Sequence, residues 1–160
     1  MKTYANMNGQ QVNMAGVTGD RTFREAWNGV DMDLNVTYDL AIAKTIAGNK
    51  INEWREAQKV LPFTIDGLGE FSADVDSKTN IDGASQAALM ATIAQTAFSI
   101  DWSLHNGTVV TLDGPAMMGV GQALLAHINA AHIEARVIKS YLDAAVDMSE
   151  VQAVLDSLDA

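Results

Sequence analysis

The sequence predicts an α+β fold that is mainly helical: an extended N-terminal arm, a helix, two short β-hairpins and a long C-terminal helix with a heptad-like seam. Three observations lead there. Ile100, Trp102 and Leu104 alternate with polar residues before Asn106-Gly107, and Val109, Val110 and Leu112 follow. That pattern is a strand, a two-residue turn whose positions accept positive φ, and a return strand. Asp66-Gly67 separates two shorter β-prone pieces within 63–74, which gives another hairpin. Beyond Pro115, residues Met117, Gly121, Leu124, Ile128, Ala131, Ala135, Ile138, Leu142 and Ala145 recur at spacings of four and three. That spacing is a helix seam of heptad type.

The elements follow in order. Residues 1–20 are rich in Asn, Gln, Gly and Met with little apolar periodicity, so they read as an arm. It either orders on a partner or stays flexible. Phe23 and Trp27 in 21–28 are four apart, which suits a helical face; a short extended stretch fits equally. A helix is expected over 35–58. Asn35 and Thr37 serve as N-caps, and Leu40, Ala43, Ala47, Ile51 and Trp54 form its apolar face. Gly48 weakens it by roughly 1 kcal/mol relative to alanine. After the 63–74 hairpin comes a helix over 79–96 carrying Ile81, Ala84, Ala88 and Ile93. The 99–113 hairpin leads to Asp113, a cap for the long helix over 115–143. Ser149 caps a tail helix over 149–158. The best division falls near Val60, between an arm-plus-helix over 1–60 and an α+β module over 61–160.

Composition narrows the function. Hydrophobic residues make up 48% of the chain, enough for a real core. Much of that is alanine, which buries little area, so several modest helices around a small core are expected. The net charge of −10 opposes phosphate backbones and anionic membrane surfaces. No nucleic-acid or membrane partner is therefore expected. The acids are spread along the chain, as on a solvated surface rather than a DNA mimic. Cysteine is absent, in keeping with a reducing cytoplasm. The N-terminus lacks a signal-type apolar core, and no apolar run is long enough to span a membrane.

No chemical centre stands out. His127 and His132 are five apart, so their rings diverge by about 140° on a helix, unlike metal pairs at three or four. His105 belongs to the Asn-Gly turn region. Asp66, Glu70, Asp74 and Asp76 are spaced somewhat like a calcium loop but lack its ligand order. Asp74, Ser77 and Asn80 are more simply turn or cap residues. No nucleophile elbow, phosphate loop or dinucleotide fingerprint is present. Catalytic, cofactor-binding and metal residues are all expected to be none, and no cofactor is expected.

Two segments carry a resemblance. Asp20-Arg-Thr-Phe-Arg-Glu-Ala-Trp27, then Asp31-Met-Asp33, Ala43, Ile46, Lys50-Ile51 and Arg55, resembles an element of small phage tail-associated proteins. From Phe63 to about Glu150 the order is Asp66-Gly67, Phe71-Ser-Ala-Asp74, Ser77, Ile81-Asp-Gly-Ala84, Ile100-Asp-Trp102, Asn106-Gly107 and Val110-Thr-Leu-Asp113. Met117, Val120, His127, His132, Ala135-Arg136 and Lys139 complete it. This is similar to a domain of unknown function found in phage tail-fibre and tail-fibre-assembly proteins. The resemblance implies a virion tail component assembled in the host bacterial cytoplasm, with other tail proteins as partners. It supplies no catalytic residue. The symmetry of phage tails favours a homotrimer. Phe23 and Trp27 would then anchor the attachment segment, because buried aromatics dominate interfaces. Met117, Leu124, Ile128 and Ile138 would offer a seam, packed either within the chain or against a copy. The alternative is a fibre-assembly chaperone absent from the finished particle. A metal-dependent hydrolase of cell-surface polymer is a third possibility, but it needs a site the sequence does not provide.

Overall fold

Asp39, Asp74, Asp113 and Asp147 mark where the helices begin. The computed structural model describes residues 4–5, 11–12, 19–30 and 35–159. The fold is α+β and mainly helical, with short antiparallel hairpins and a long C-terminal helix. Contacts divide the chain into one unit of Met1–Glu53 with Arg136–Ala160 and a second of Trp54–Ala135. A cut near Val60 would instead place the end of the long helix with the hairpins.

In the first unit, strands β1 (Tyr4–Ala5) and β2 (Gln11–Val12) pair antiparallel. Part of the expected arm therefore forms strand, and Gly19 and Asp20 are described; the rest of it lies outside the described residues. The Asp20 carboxylate accepts from Thr22 N at 2.8 Å and starts a 3-10 helix over Arg21–Ala26. This helix runs into β3 (Trp27–Val30), which pairs with β4 (Val36–Tyr38) across a bulge between Trp27 and Gly29. Both readings of 21–28 thus hold, each for part of the segment. Phe23 is fully buried and meets the Tyr38 ring edge-on, with centroids 6.5 Å apart.

Helix α1 (Leu40–Gln58) begins later than expected. Val36, Thr37 and Tyr38 favour a strand and find a partner in β3. The capping group is Asp39, whose Oδ1 accepts from Ala41 N and Ile42 N. Ala43, Ala47 and Ile51 are buried at spacings of four. The end of α3 (Gly114–Ala144) runs antiparallel beside α1, on the side of Lys44, Gly48 and Asn52. Lys44 Nζ donates to the Asp143 carbonyl at 2.7 Å, and Lys139 Nζ to Asn52 Oδ1 at 2.6 Å. Helix α4 (Met148–Asp156) is capped by Asp147, not Ser149, and Glu150 reaches back to Val146 N at 2.6 Å. That reciprocal arrangement resembles a capping box.

The second unit holds both expected hairpins. Strands β5 (Phe63–Ile65) and β6 (Gly69–Phe71) are joined through Asp66-Gly67, with Leu68 N donating to Ile65 O and Gly67 at φ +79°. Helix α2 (Val75–Ile93) starts earlier than expected because Asp74 caps it. It ends earlier too, at a left-handed Gln95 of φ 56°. Strands β7 (Ser99–Ser103) and β8 (Val109–Asp113) are joined by a three-residue loop, not a two-residue turn. Leu104 N donates to Thr108 O, Gly107 N donates to Leu104 O, and Gly107 takes φ +83°. This is a turn followed by a left-handed glycine bulge. Asp113 caps α3 through Ala116 N at 2.9 Å.

Phe63 and Phe71 are cross-strand partners with stacked rings 5.7 Å apart. They share a core with Ile81, Leu112, Met117 and Val120. Helices α2 and α3 approach closely where Gly121 meets Ser85, whose hydroxyl donates to Met117 O at 3.1 Å. Every seam position from Met117 to Ala145 is buried or half-buried.

Candidate docking groove beside the second hairpin

Strand β7 follows α2 in sequence and, within the second unit, lines one cavity together with it. This groove of about 500 Å³ is lined by Ser72, Ser77, Asn80 and Ala84 with Ile100, Asp101, Trp102 and Ser103. The helical contributions sit three, four and seven residues apart, on one face of α2. Four consecutive strand residues border the space. Side chains of a strand alternate between its faces, so a cavity touched by all four runs along the strand's edge.

The walls are held by hydrogen bonds. Ser77 donates through both N and Oγ to the Asp74 carboxylate, at 2.9 and 2.7 Å. The Ser77 hydroxyl, then the Ser77 amide, lowers the Asp74 pKa below the usual 3.8. Ser72 Oγ lies 3.0 Å from His105 Nδ1, and His105 N donates to Glu70 O at 2.8 Å, fixing the loop after β7 against β6. Asp101 accepts from Thr111 Oγ1 across the hairpin at 2.6 Å. Trp102 is half-buried and lines the groove. The lining offers hydroxyl, amide and carboxylate groups with an indole, and no cationic side chain.

The residues singled out from sequence lie elsewhere. Phe23 is fully buried in the first unit. Trp27 is half-buried there, with its indole N–H donating to Asp20 O at 3.2 Å. Met117 and Leu124 belong to the core of the second unit, and Ile128 packs against that core half-buried. Ile138 is half-buried on the closing part of α3. The side chains of Phe23, Met117 and Leu124 are thus already occupied by their own chain. Sequence reasoning missed the groove residues as a set. Its one available signal was the alternation of Ile100 and Trp102 with Asp101 and Ser103.

His127 stacks on Phe63 at 5.7 Å between ring centroids, and its Nε2 is buried without a hydrogen-bond partner. Among the described residues, no group of three or more His, Cys, Asp or Glu side chains is placed to hold a metal ion. No helix among them is long and apolar enough to cross a membrane.

No curated protein and no solved structure matches the chain. Residues 42–157 match the model of a family described as Domain of unknown function (DUF4376). That span covers well over half of the sequence and includes both hairpins of the second unit, α2, α3, α4 and almost all of α1; the chain belongs to this family.

Proposed function

We propose that this protein is a non-enzymatic structural component of a bacteriophage tail, acting by protein–protein assembly as a distal-tail, baseplate or fibre adaptor. The observation that carries the reading is the ordered motif resemblance, from Asp20–Trp27 and again from Phe63 to about Glu150. The groove beside β7 supports it, because an open strand edge next to a helix is a binding feature that needs no catalytic group. The protein acts in several copies, with a trimer favoured by tail symmetry, and its partners are other tail proteins.

Mass spectrometry of purified phage particles tests this. Presence of the chain in multiples of three supports the structural subunit. Absence from particles, with abundance in infected cells, replaces it with a fibre-assembly chaperone. A purified chain that hydrolyses cell-surface polymer overturns the non-enzymatic reading.

A further inference from the structure

The backbone of β7 has one satisfied edge and one open edge. Leu104 N donates to Thr108 O, which makes Leu104 and Thr108 a hydrogen-bonded pair. Antiparallel pairs alternate, so Trp102–Val110 and Ile100–Leu112 are bonded while Ser103–Val109 and Asp101–Thr111 are not. The N–H and C=O groups of Asp101 and Ser103 therefore point away from β8. β7 has no second strand neighbour, and no other backbone group among the described residues meets these four. Asp101 and Ser103 are both among the residues that border the groove.

The dimensions suit a polypeptide. Four strand residues span about 13 Å, and the α2 face from Ser77 to Ala84 spans about 10 Å. Open donors and acceptors on alternate residues are matched by an extended backbone, which presents its own groups at the same repeat. The helix opposite then contacts alternate side chains of the incoming strand. The chemistry of the lining sets which side chains fit. Asp101 is the only charged residue on it, four other residues are Ser or Asn, and the whole chain carries −10. A second copy of β7 would bring another Asp101 into the same strand pair, and like charges facing across strands are unfavourable.

We infer that the groove beside β7 receives an extended, lysine- or arginine-bearing strand of a partner protein, which adds to the open edge of β7. This deepens the assembly reading and rests on it only for the partner being a tail protein; strand addition in solution and particle content are separate readouts.

The test is an NMR titration of the isotope-labelled full-length chain. The probes are a capped heptapeptide of alternating Thr and Val with a central Lys, and the same peptide with Glu in its place. The Lys peptide is expected to shift amides along 100–103 and to slow hydrogen exchange at Asp101 and Ser103. It should bind about ten-fold more tightly than the Glu peptide, the order expected for a charge-assisted hydrogen bond. Asp101→Lys should reverse that preference. Ser103→Pro should weaken the Lys peptide by about ten-fold, because proline removes an outward N–H while leaving the β7–β8 ladder intact. If Ser103→Pro loses its circular dichroism spectrum, the Asp101→Lys reversal decides alone. Equal binding of both peptides, or shifts confined to another surface, overturns the proposal. So do edge shifts that depend on protein concentration without peptide, which assign the groove to a second copy. Edge shifts with maltohexaose but with neither peptide assign it to a glycan.

Discussion

Replacing Gly121 by alanine measures how tightly α2 and α3 are packed. A Cβ at Gly121 would lie 2.5 Å from Ser85 Oγ and 3.0 Å from Ser85 Cβ. The first contact is relieved if the Ser85 hydroxyl rotates, at the loss of its 3.1 Å bond to Met117 O. Such a bond contributes about 0.5–1.5 kcal/mol. The second contact needs the helices to separate by several tenths of an ångström, an overpacking cost of about 1–3 kcal/mol. Against this, alanine is favoured over glycine inside a helix by about 1 kcal/mol. Gly121→Ala should therefore destabilise by about 1–2 kcal/mol net of that gain. Only the Ser85 side chain opposes the new methyl within 4 Å. In a Ser85→Gly background the same substitution should become stabilising by about 1 kcal/mol. Urea unfolding of the four proteins, followed by circular dichroism and tryptophan fluorescence, gives the coupling from midpoints at constant slope. The same cost for Gly121→Ala in both backgrounds would refute the close approach of Ser85 and Gly121.

Three further outcomes follow from the packing and electrostatics. Gly69 has φ +118°, and a Cβ there would sit 2.8 Å from Leu104 Cδ1, so Gly69→Ala should destabilise by about 1–3 kcal/mol in urea unfolding. Phe71 is fully buried against Phe63, and Phe71→Ala should cost about 3–5 kcal/mol by the same measurement. Glu56 has its pKa lowered from 4.5 to about 2, by hydrogen bonds from Lys59 first and Arg55 second. Its stabilising contribution is present above pH 4.5 and is lost as the pH falls toward 2. Because the group is exposed, about 1 M salt should raise the pKa toward its ordinary value, as should Lys59→Ala, read by NMR titration of the side-chain carboxyl.

Features written in local spacing were legible from sequence. The α3 seam is one: apolar residues at three and four fix which face is buried whatever covers it, and each seam residue from Met117 to Ala145 is shielded. Asn106-Gly107 marked its hairpin correctly because Gly107 does adopt positive φ. The loop length was not legible, since a left-handed glycine serves two-residue and three-residue loops alike. The start of α1 was misplaced for a tertiary reason. Asn35 and Thr37 are good caps in isolation, but β3 recruits Val36–Tyr38 as a strand and leaves the role to Asp39. The groove was invisible because alternation identifies a strand without saying which edge remains open. Asp101 and Ser103 became significant only once pairing to β8 placed their backbone groups on the far side.

The first unit is assembled from the two ends of the described chain, and this affects its birth on the ribosome. Ala43, Ala47 and Ile51 present their buried face early, while Leu142 and Ala145 emerge about ninety residues later. At about 5–20 residues per second, that delay is roughly 5–20 s. During it, Lys44, Gly48 and Asn52 of α1 lack the end of α3 beside them, whereas every segment of the second unit is already made by residue 135. The first unit therefore closes only after the second has all of its residues.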